Sequence, residues 1–308
     1  MWDSRPRLSV RQRRTARSTR DQPAQRIACA NSAVSMKTAY AEVVENEHLY
    51  ADTWITWFRS PEIGNGAYPG QFLMLRCDEA PTPTTYNLEP TTSFDPLLPR
   101  PMSFHRIRSG AHGPEWSILY DVVGRGTAWL ARRKPGDRVY GWGPLGRGYE
   151  IGHTARNLLL VGGGIGIAPL VWLAEDAVAK RLSVTMIIGA RDAGHVYPSN
   201  LLPPEVEVVV TTDDGSSGRG GFVTEPFGEL LEWCDQAFAC GPTAMMQAMA
   251  GVARASKTRR SVQVLLEERM GCGTGICYGC AVQVRVRGGR AMKLVCKDGP
   301  RFEARDVW

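Results

Sequence analysis

The 308-residue chain is 43% hydrophobic and 22% charged, which suits a soluble globular protein of two domains with an appendage and excludes a disordered or fibrous chain. Its formal charge of +6 hints at a polyanionic partner, but the excess lies in residues 1–36, with eight Arg and no Lys against Asp3 and Asp21. The remaining 29 basic and 29 acidic residues balance, so no nucleic-acid partner is expected.

Residues 1–36 are rich in Arg, Ser and Gln and lack the apolar core of a secretory signal. They read as a disordered leader or as a start assigned too far upstream, with an Arg-rich targeting segment as the third possibility. Patterned sequence begins at Met36-Lys37. From Thr38 to Phe58 the residues alternate, placing Leu49, Ala51, Thr53, Ile55 and Trp57 on one face of a half-buried strand. Pro61 to Gly70 is turn-rich, and Gln71 to Arg76 reads as a strand. Cys77 to Pro99 holds five prolines and no period, the mark of a surface loop. Arg100–Ile107 and Trp116–Val123 are further strands, residues 128–133 suit a short helix, and Arg138-Val-Tyr140 leads into Gly141-Trp-Gly-Pro-Leu-Gly146. Short strands punctuated by Gly and Pro predict an antiparallel β-barrel over residues 37–150.

After Asn157 the pattern changes. Residues 157–174 are uncharged and near the length of a membrane span, but four glycines and Pro169 make them a strand, a tight loop and a helix start, and no span is expected. The helix should run from Ala168 to about Lys180, with strands at Val184–Ile188, Val206–Thr211 and Ala237–Ala239. Phe222–Trp233 reads as helical. Pro242 opens another helix, whose Met245, Met249 and Val252 repeat at core spacing. Strands alternating with helices predict a parallel sheet over residues 151–257. Residues 258–308 return to β pattern: Val282, Val284 and Val286 alternate, Gly288-Gly289 suits a two-residue hairpin turn, and Leu294-Val295 leads back to Cys296.

Four of the eight cysteines fall in this last segment, Cys272, Cys277, Cys280 and Cys296, spaced C-x4-C-x2-C-x15-C. The first three have the spacing of a plant-type [2Fe–2S] loop, and glycines at 271, 273, 275 and 279 let the backbone wrap an inorganic core. A structural zinc site usually presents two short Cys pairs, whereas here three thiols crowd one loop. Disulfides would need an oxidising compartment, which nothing suggests.

Gly162-Gly163-Gly164-Ile-Gly166-Ile-Ala-Pro169 follows a strand and precedes a helix, so its N–H groups could meet a pyrophosphate; without strict G-x-G-x-x-G spacing a plain tight turn remains open. Arg100-Pro101-Met102-Ser103 offers a guanidinium fork and a hydroxyl, and Gly124-Arg-Gly126-Thr127 an anion-shaped turn, each of which also fits an ordinary β-turn. Cys240-Gly241-Pro242 ends a strand where α/β proteins bind ligands, though a small buried thiol explains it as well. Glu267 and Glu268 read as solvated. The five histidines are scattered and read as structural, and no catalytic residue is assigned.

Taken in order, these motifs resemble those of the ferredoxin-reductase superfamily and, more closely, the electron-transfer subunits of class 1B dihydroorotate dehydrogenases. Gly189-Ala-Arg191, Thr211-Thr-Asp-Asp-Gly215, Glu267-Glu-Arg-Met-Gly-Cys272 and Val295-Cys-Lys-Asp-Gly-Pro300 have counterparts there, and the likeness covers residues 37–308. The resemblance implies an FAD-binding barrel over residues 37–150, an NAD-binding α/β domain over 151–257 and a small [2Fe–2S] domain over 258–308. It implies that Arg100, Pro101, Met102, Ser103, Leu119, Tyr120, Asp121, Gly126 and Thr127 hold FAD. Cys272, Cys277, Cys280 and Cys296 would ligate the cluster. Gly162, Gly163, Gly164, Gly166, Cys240, Gly241 and Pro242 would border the nicotinamide nucleotide.

It further implies a cytoplasmic oxidoreductase subunit of pyrimidine biosynthesis. Electrons would come from the FMN of a dihydroorotate dehydrogenase catalytic partner, in a heterotetramer, and pass through the cluster and FAD to NAD. A homologous subunit of a hydrogenase, sulfide dehydrogenase or ferredoxin:NADP oxidoreductase is the alternative, and a non-catalytic zinc or redox-sensing module is the reading from another class. Two departures stand out: Asp121 replaces a residue that tends to be basic in the family, and the Pro-rich stretch before Pro99 is longer than usual. Arg191 and Asp192 point in opposite directions on NAD against NADP.

Overall fold

The computed structural model describes residues 36–77 and 96–308. The basic leader before Met36, and residues 78–95 of the Pro-rich stretch, lie outside the described residues.

Seven strands form the first sheet: β1 (Lys37–Tyr50), β2 (Thr53–Arg59), β3 (Phe72–Leu75), β4 (Arg100–Ser103), β5 (Arg106–Gly110), β6 (Gly113–Asp121) and β7 (Arg138–Leu145). They run in the order β4-β3-β7-β1-β2-β6-β5, and every neighbouring pair is antiparallel. The single strand expected from Thr38 to Phe58 is a hairpin. Ala51, at φ +42°, turns the chain, so that Tyr50 pairs with Thr53. On β2 the expected face, Thr53, Ile55 and Trp57, is buried, but so are Thr56 and Phe58 of the other face, so the strand is covered on both sides.

The expected barrel is a curled sheet, hydrogen-bonded along its strands but not closed between its edges β4 and β5. Those edges follow each other in sequence across Phe104-His105, yet they do not pair as a hairpin. The link instead bridges the gap: Phe104 N donates to Gln71 O (3.2 Å) beside β3, and His105 N to Ser117 O (2.8 Å) on β6. Inside the curl, Phe58 stacks on Trp116 at 4.6 Å and Phe104 meets Trp116 edge-on at 5.6 Å.

The second sheet is built from β8 (Asn157–Gly163), β9 (Ser183–Ala190), β10 (Glu207–Thr212), β11 (Arg219–Gly220), β12 (Gln236–Cys240) and β13 (Ser261–Leu265). A two-stranded hairpin, β14 (Ala281–Val286) and β15 (Gly289–Leu294), stands apart, and β16 (Arg301–Glu303) completes the second sheet in the order β11-β10-β9-β8-β12-β13-β16. All its pairs are parallel except β13 with β16. The last segment of the chain therefore lends two strands to the central sheet. The hairpin turn is Arg287-Gly288, one residue earlier than the sequence suggested, because Gly289 pairs with Val286.

Side-chain alternation along β8 explains the layers. Leu158 and Leu160 face the helix Ala168–Ala179 with Leu170, Val171 and Ala174. Leu159 and Val161 face the other way, toward Phe227 in the helix Thr224–Leu230 and Met246 and Met249 in the helix Thr243–Ala255. Burying a sheet on both faces leaves nearly continuous apolar strands, as the sequence of β8 shows. Of the expected methionine stripe, Met249 is fully buried, while Met245 and Val252 pack at its margin. No helix among the described residues is long and apolar enough to cross a membrane.

Candidate functional site

The chain leaves β9 and β12 on opposite sides of β8, so a crevice opens at the C-terminal ends of β8 and β12. A cleft of about 270 Å³ lies there, against the curled sheet. Pro101, Met102 and Ser103 of β4 line it, with Leu119, Tyr120 and Asp121 of β6, then Thr127 and Cys240. Residues from four separated stretches thus share one space.

Arg100 and Gly126 sit just behind this lining. A Cβ on Gly126 would come within 2.6 Å of Arg100 Nε, so the glycine is what lets the guanidinium lie over the turn. The helix expected at 128–133 runs from Arg125 to Ala131 and begins inside that turn. Thr127 Oγ accepts from Val123 N (3.0 Å) and Gly124 N (3.3 Å), satisfying groups at the helix start. Asp121 accepts from Thr53 Oγ at 2.6 Å.

The glycine loop contributes Ile165 and Ala168 to the lining. Gly163 and Gly166 are glycines for packing: a Cβ on Gly166 would fall 2.3 Å from Cys240 O, and one on Gly163 would fall 2.5 Å from Met245 Sδ. Gly162 is closed off by Ile167. Gly164 differs, with φ +53° and nothing within 4 Å. The loop is thereby pressed onto the Cys240-Gly241-Pro242 turn, and the two motifs form one floor.

Glu267 and Glu268, read from sequence as solvated, are exposed and also line the cleft. Cys240 Sγ donates to Glu267 Oε1 at 3.5 Å. Desolvation of its carboxyl against the cleft wall raises Glu267 above the usual carboxylate range, and burial together with that carboxylate pushes the Cys240 thiol well up. Tyr149 lies under the pair and donates to Ala239 O at 3.2 Å. Phe72, Met270 and Pro300 complete the side toward the cysteine loop. The overlooked signal was position: the two carboxylates follow the apolar run of β13 directly, at the carboxyl end of a central strand.

His105 sits in the core between β4 and β5. It is fully buried, its Nδ1 lies 2.9 Å from Ala168 O, and burial drives its pKa down to about 3. Farther out, Ser216 Oγ accepts from Ala193 N (2.8 Å) and donates to Asp214 Oδ1 (2.6 Å), lacing the loops after β9 and β10. Arg191 is engaged by Asp192 at 3.5 Å and contacts His195.

The cysteine loop leaves the cleft at Met270. Gly273 (φ +70°), Gly275 (φ +87°) and Tyr278 (φ +59°) wind it back on itself. Thr274 N and Cys277 N point at Cys272 Sγ, at 3.3 and 3.5 Å, and Cys296 N points at Cys280 Sγ at 3.5 Å. Burial pushes the Cys272 thiol up, but those two N–H groups outweigh it and bring it to about 6. Cys280 and Cys296 are buried side by side, and Cys277 is exposed at the tip between Ile276 and Tyr278. Among the described residues no three ligating side chains converge on one point. The donor set fits an iron–sulfur cluster nonetheless: four thiols on one loop and its returning hairpin, with backbone N–H groups aimed at the sulfurs. A Cβ at Gly271 or Gly279 would occupy the space 3.6 or 3.5 Å from Cys277 Sγ.

Residues 267–308 match the family described as the iron–sulfur cluster binding domain of dihydroorotate dehydrogenase B. A protein of Desulforamulus reducens named dihydroorotate dehydrogenase B (NAD(+)), electron transfer subunit, is 38% identical over 270 residues, 87% of this chain and 97% of the relative. Its namesake in Caldanaerobacter subterraneus is 36% identical, covering 87% and 97%. Among solved structures, an NADH-dependent reduced ferredoxin-NADP oxidoreductase superposes with a TM-score of 0.72 at 30% identity, over 88% of this chain and 90% of that one. The ferredoxin reductase of carbazole 1,9a-dioxygenase shares the fold, with a TM-score of 0.59 at 22% identity over 73% and 68%.

Proposed function

We propose, for a chain that belongs to the family of dihydroorotate dehydrogenase B electron-transfer subunits, the following division of labour. Residues 37–150 hold FAD through Arg100, Pro101, Met102, Ser103, Leu119, Tyr120, Asp121, Gly126 and Thr127. The floor made by Gly162 to Gly166 and Cys240-Gly241-Pro242 takes the nicotinamide end of NAD. Cys272, Cys277, Cys280 and Cys296 hold a [2Fe–2S] cluster. The observation that carries this reading is the shared cleft: the β4 and β6 residues, Thr127 and Cys240 line one space, and Met270 joins its wall to the cysteine loop.

When bound, FAD supplies the conversion between single electrons and the pairs that nicotinamide exchanges. The chain supplies position. Arg100 over Gly126 and the start of the helix Arg125–Ala131 offer positive charge to a diphosphate. Cys240, with its thiol held protonated, presents a compact neutral wall beside the Glu267 carboxyl. Closely packed glycines bring the nucleotide floor near the flavin strand, as ring-to-ring transfer requires. Asp192 and Asp214 stand at the ends of β9 and β10, and Arg191 is already engaged, which favours NAD over a nucleotide bearing a 2′-phosphate.

The partner is an FMN-containing catalytic chain that oxidises dihydroorotate, assembled with this one as a heterotetramer. Anaerobic titration of the purified complex tests the reading. NADH should bleach flavin and cluster absorbance in this chain alone, whereas dihydroorotate should do so only with the partner present. A reconstituted chain that holds zinc instead of iron, or stays colourless, overturns it. The likeness to the ferredoxin-NADP oxidoreductase favours one second reading, a subunit of a ferredoxin-linked complex, which reduction by ferredoxin but not by dihydroorotate would select.

A further inference from the structure

The cysteine loop meets the curled sheet at a defined place. Trp142 lies in β7, paired with Thr38 of β1 on one side and Met74 of β3 on the other, so its backbone is fixed by two ladders. Its neighbours Gly141 and Gly143 let β3 nest closely, since Cβ atoms there would fall 2.7 Å from Leu75 Cδ2 and 2.8 Å from Leu73 Cβ. The indole ends a row of rings on the same face. Tyr140 is 6.1 Å from it, Tyr40 is 5.1 Å from Tyr140, and the Arg138 guanidinium lies 5.1 Å over Tyr40. From this braced position Trp142 Nε1 donates to the carbonyl oxygen of Cys272 at 3.2 Å. The next residue, Gly273, lies flush on the sheet, for a Cβ there would strike Met74 Cγ at 2.5 Å. Among the described residues, no other side chain of the curled sheet has a hydrogen bond to residues 271–280.

We propose that Trp142 is a positioning residue for the cluster: its indole N–H fixes the peptide between Cys272 and Gly273, and with it the first thiol, against the flavin-binding sheet. This rests on the reading of the four cysteines as cluster ligands. Apolar contact alone holds a loop without orienting it, whereas a hydrogen bond to a carbonyl fixes the rotation of that peptide. The same peptide carries Cys272 Sγ to the N–H groups of Thr274 and Cys277. Losing the indole donor should let the peptide turn and weaken both of those contacts.

The test uses the full chain, reconstituted with iron, sulfide and FAD without air. Trp142→Phe keeps a flat ring and removes the donor; Trp142→Leu removes it with a flexible apolar side chain, should Phe leave the fold loose. We expect either variant to keep its flavin and its melting temperature, to change the visible circular dichroism of the cluster, and to release iron to a chelator about two- to tenfold faster, the range set by one neutral hydrogen bond. Unchanged dichroism and release in the folded variants overturn the role of Trp142 alone. A wild-type chain that takes up no iron overturns the ligand assignment, and this inference with it.

Discussion

Gly166→Ala probes the floor of the cleft most directly. The added Cβ would lie 2.3 Å from Cys240 O and 2.5 Å from Gly241 N, about 1 Å inside the 3.4 Å at which ordinary contact begins. Both obstacles are backbone, so neither can swing away, and the two turns must part. Overpacking of this kind costs about 1–3 kcal/mol, and a chain of this size loses roughly 2–4 °C per kcal/mol, so the melting temperature should fall by about 2–12 °C. Parting the turns also moves the Cys240 wall by roughly 1 Å, which can slow transfer between rings by up to about 100-fold. The assay is thermal unfolding of the loaded protein with stopped-flow reduction by NADH. Gly251→Ala is the control: it lies inside the helix Thr243–Ala255 with nothing within 4 Å, and should stabilise by about 0.5–1 kcal/mol. Equal melting temperatures and rates for Gly166→Ala and wild type would refute the claim that the two motifs form one packed floor.

Three further outcomes are expected. Glu267 has a raised pKa, so the native chain binds more protons than the unfolded one between the ordinary carboxylate value and the raised one, and stability falls as pH climbs through that window. Glu267→Gln should therefore unfold at higher denaturant than wild type at pH 8, with the advantage gone at pH 4; a gain that persists at pH 4 contradicts this. His105 behaves oppositely: held neutral down to about pH 3, it makes the native state lose stability as pH drops below 6.5, where the unfolded imidazole takes up a proton. His105→Asn should flatten that acid loss in a denaturation series, and parallel slopes for the two proteins would count against it. Cys296→Ser should lower the iron-to-flavin ratio while leaving the flavin spectrum intact, and an unchanged iron count would remove Cys296 from the ligand set.

Much of this site was legible because its chemistry needs rare residues at fixed spacing. Three thiols in a glycine loop, a strand that breaks into glycines before Pro169, and a Cys-Gly-Pro turn each restrict the backbone enough to be read without the fold. Ala51 shows the opposite case. A positive φ at a non-glycine leaves no trace in composition, so one long alternating run concealed the hairpin between β1 and β2. The openness of the first sheet was equally hidden, because period and punctuation fix strands but not whether the edge strands join. Glu267 and Glu268 are exposed, as their place beside Arg269 suggested, but that they line the cleft is legible only once β13 is known to end at the crevice. The turn at Arg287-Gly288 moved by one residue because two adjacent glycines fit either register.

The stretch between β13 and β16 departs from the central sheet after Leu265 and rejoins it at Arg301, and these two residues face each other across the ladder. Its ends are therefore tied a single strand spacing apart, about 5 Å. An excursion knotted at the neck can be emptied without slackening its host. Loss of the cluster to air should then produce a crippled but soluble flavoprotein, still able to oxidise NADH with an artificial dye, that can be refilled in place once a thiol reductant has restored its cysteines, instead of being refolded from scratch.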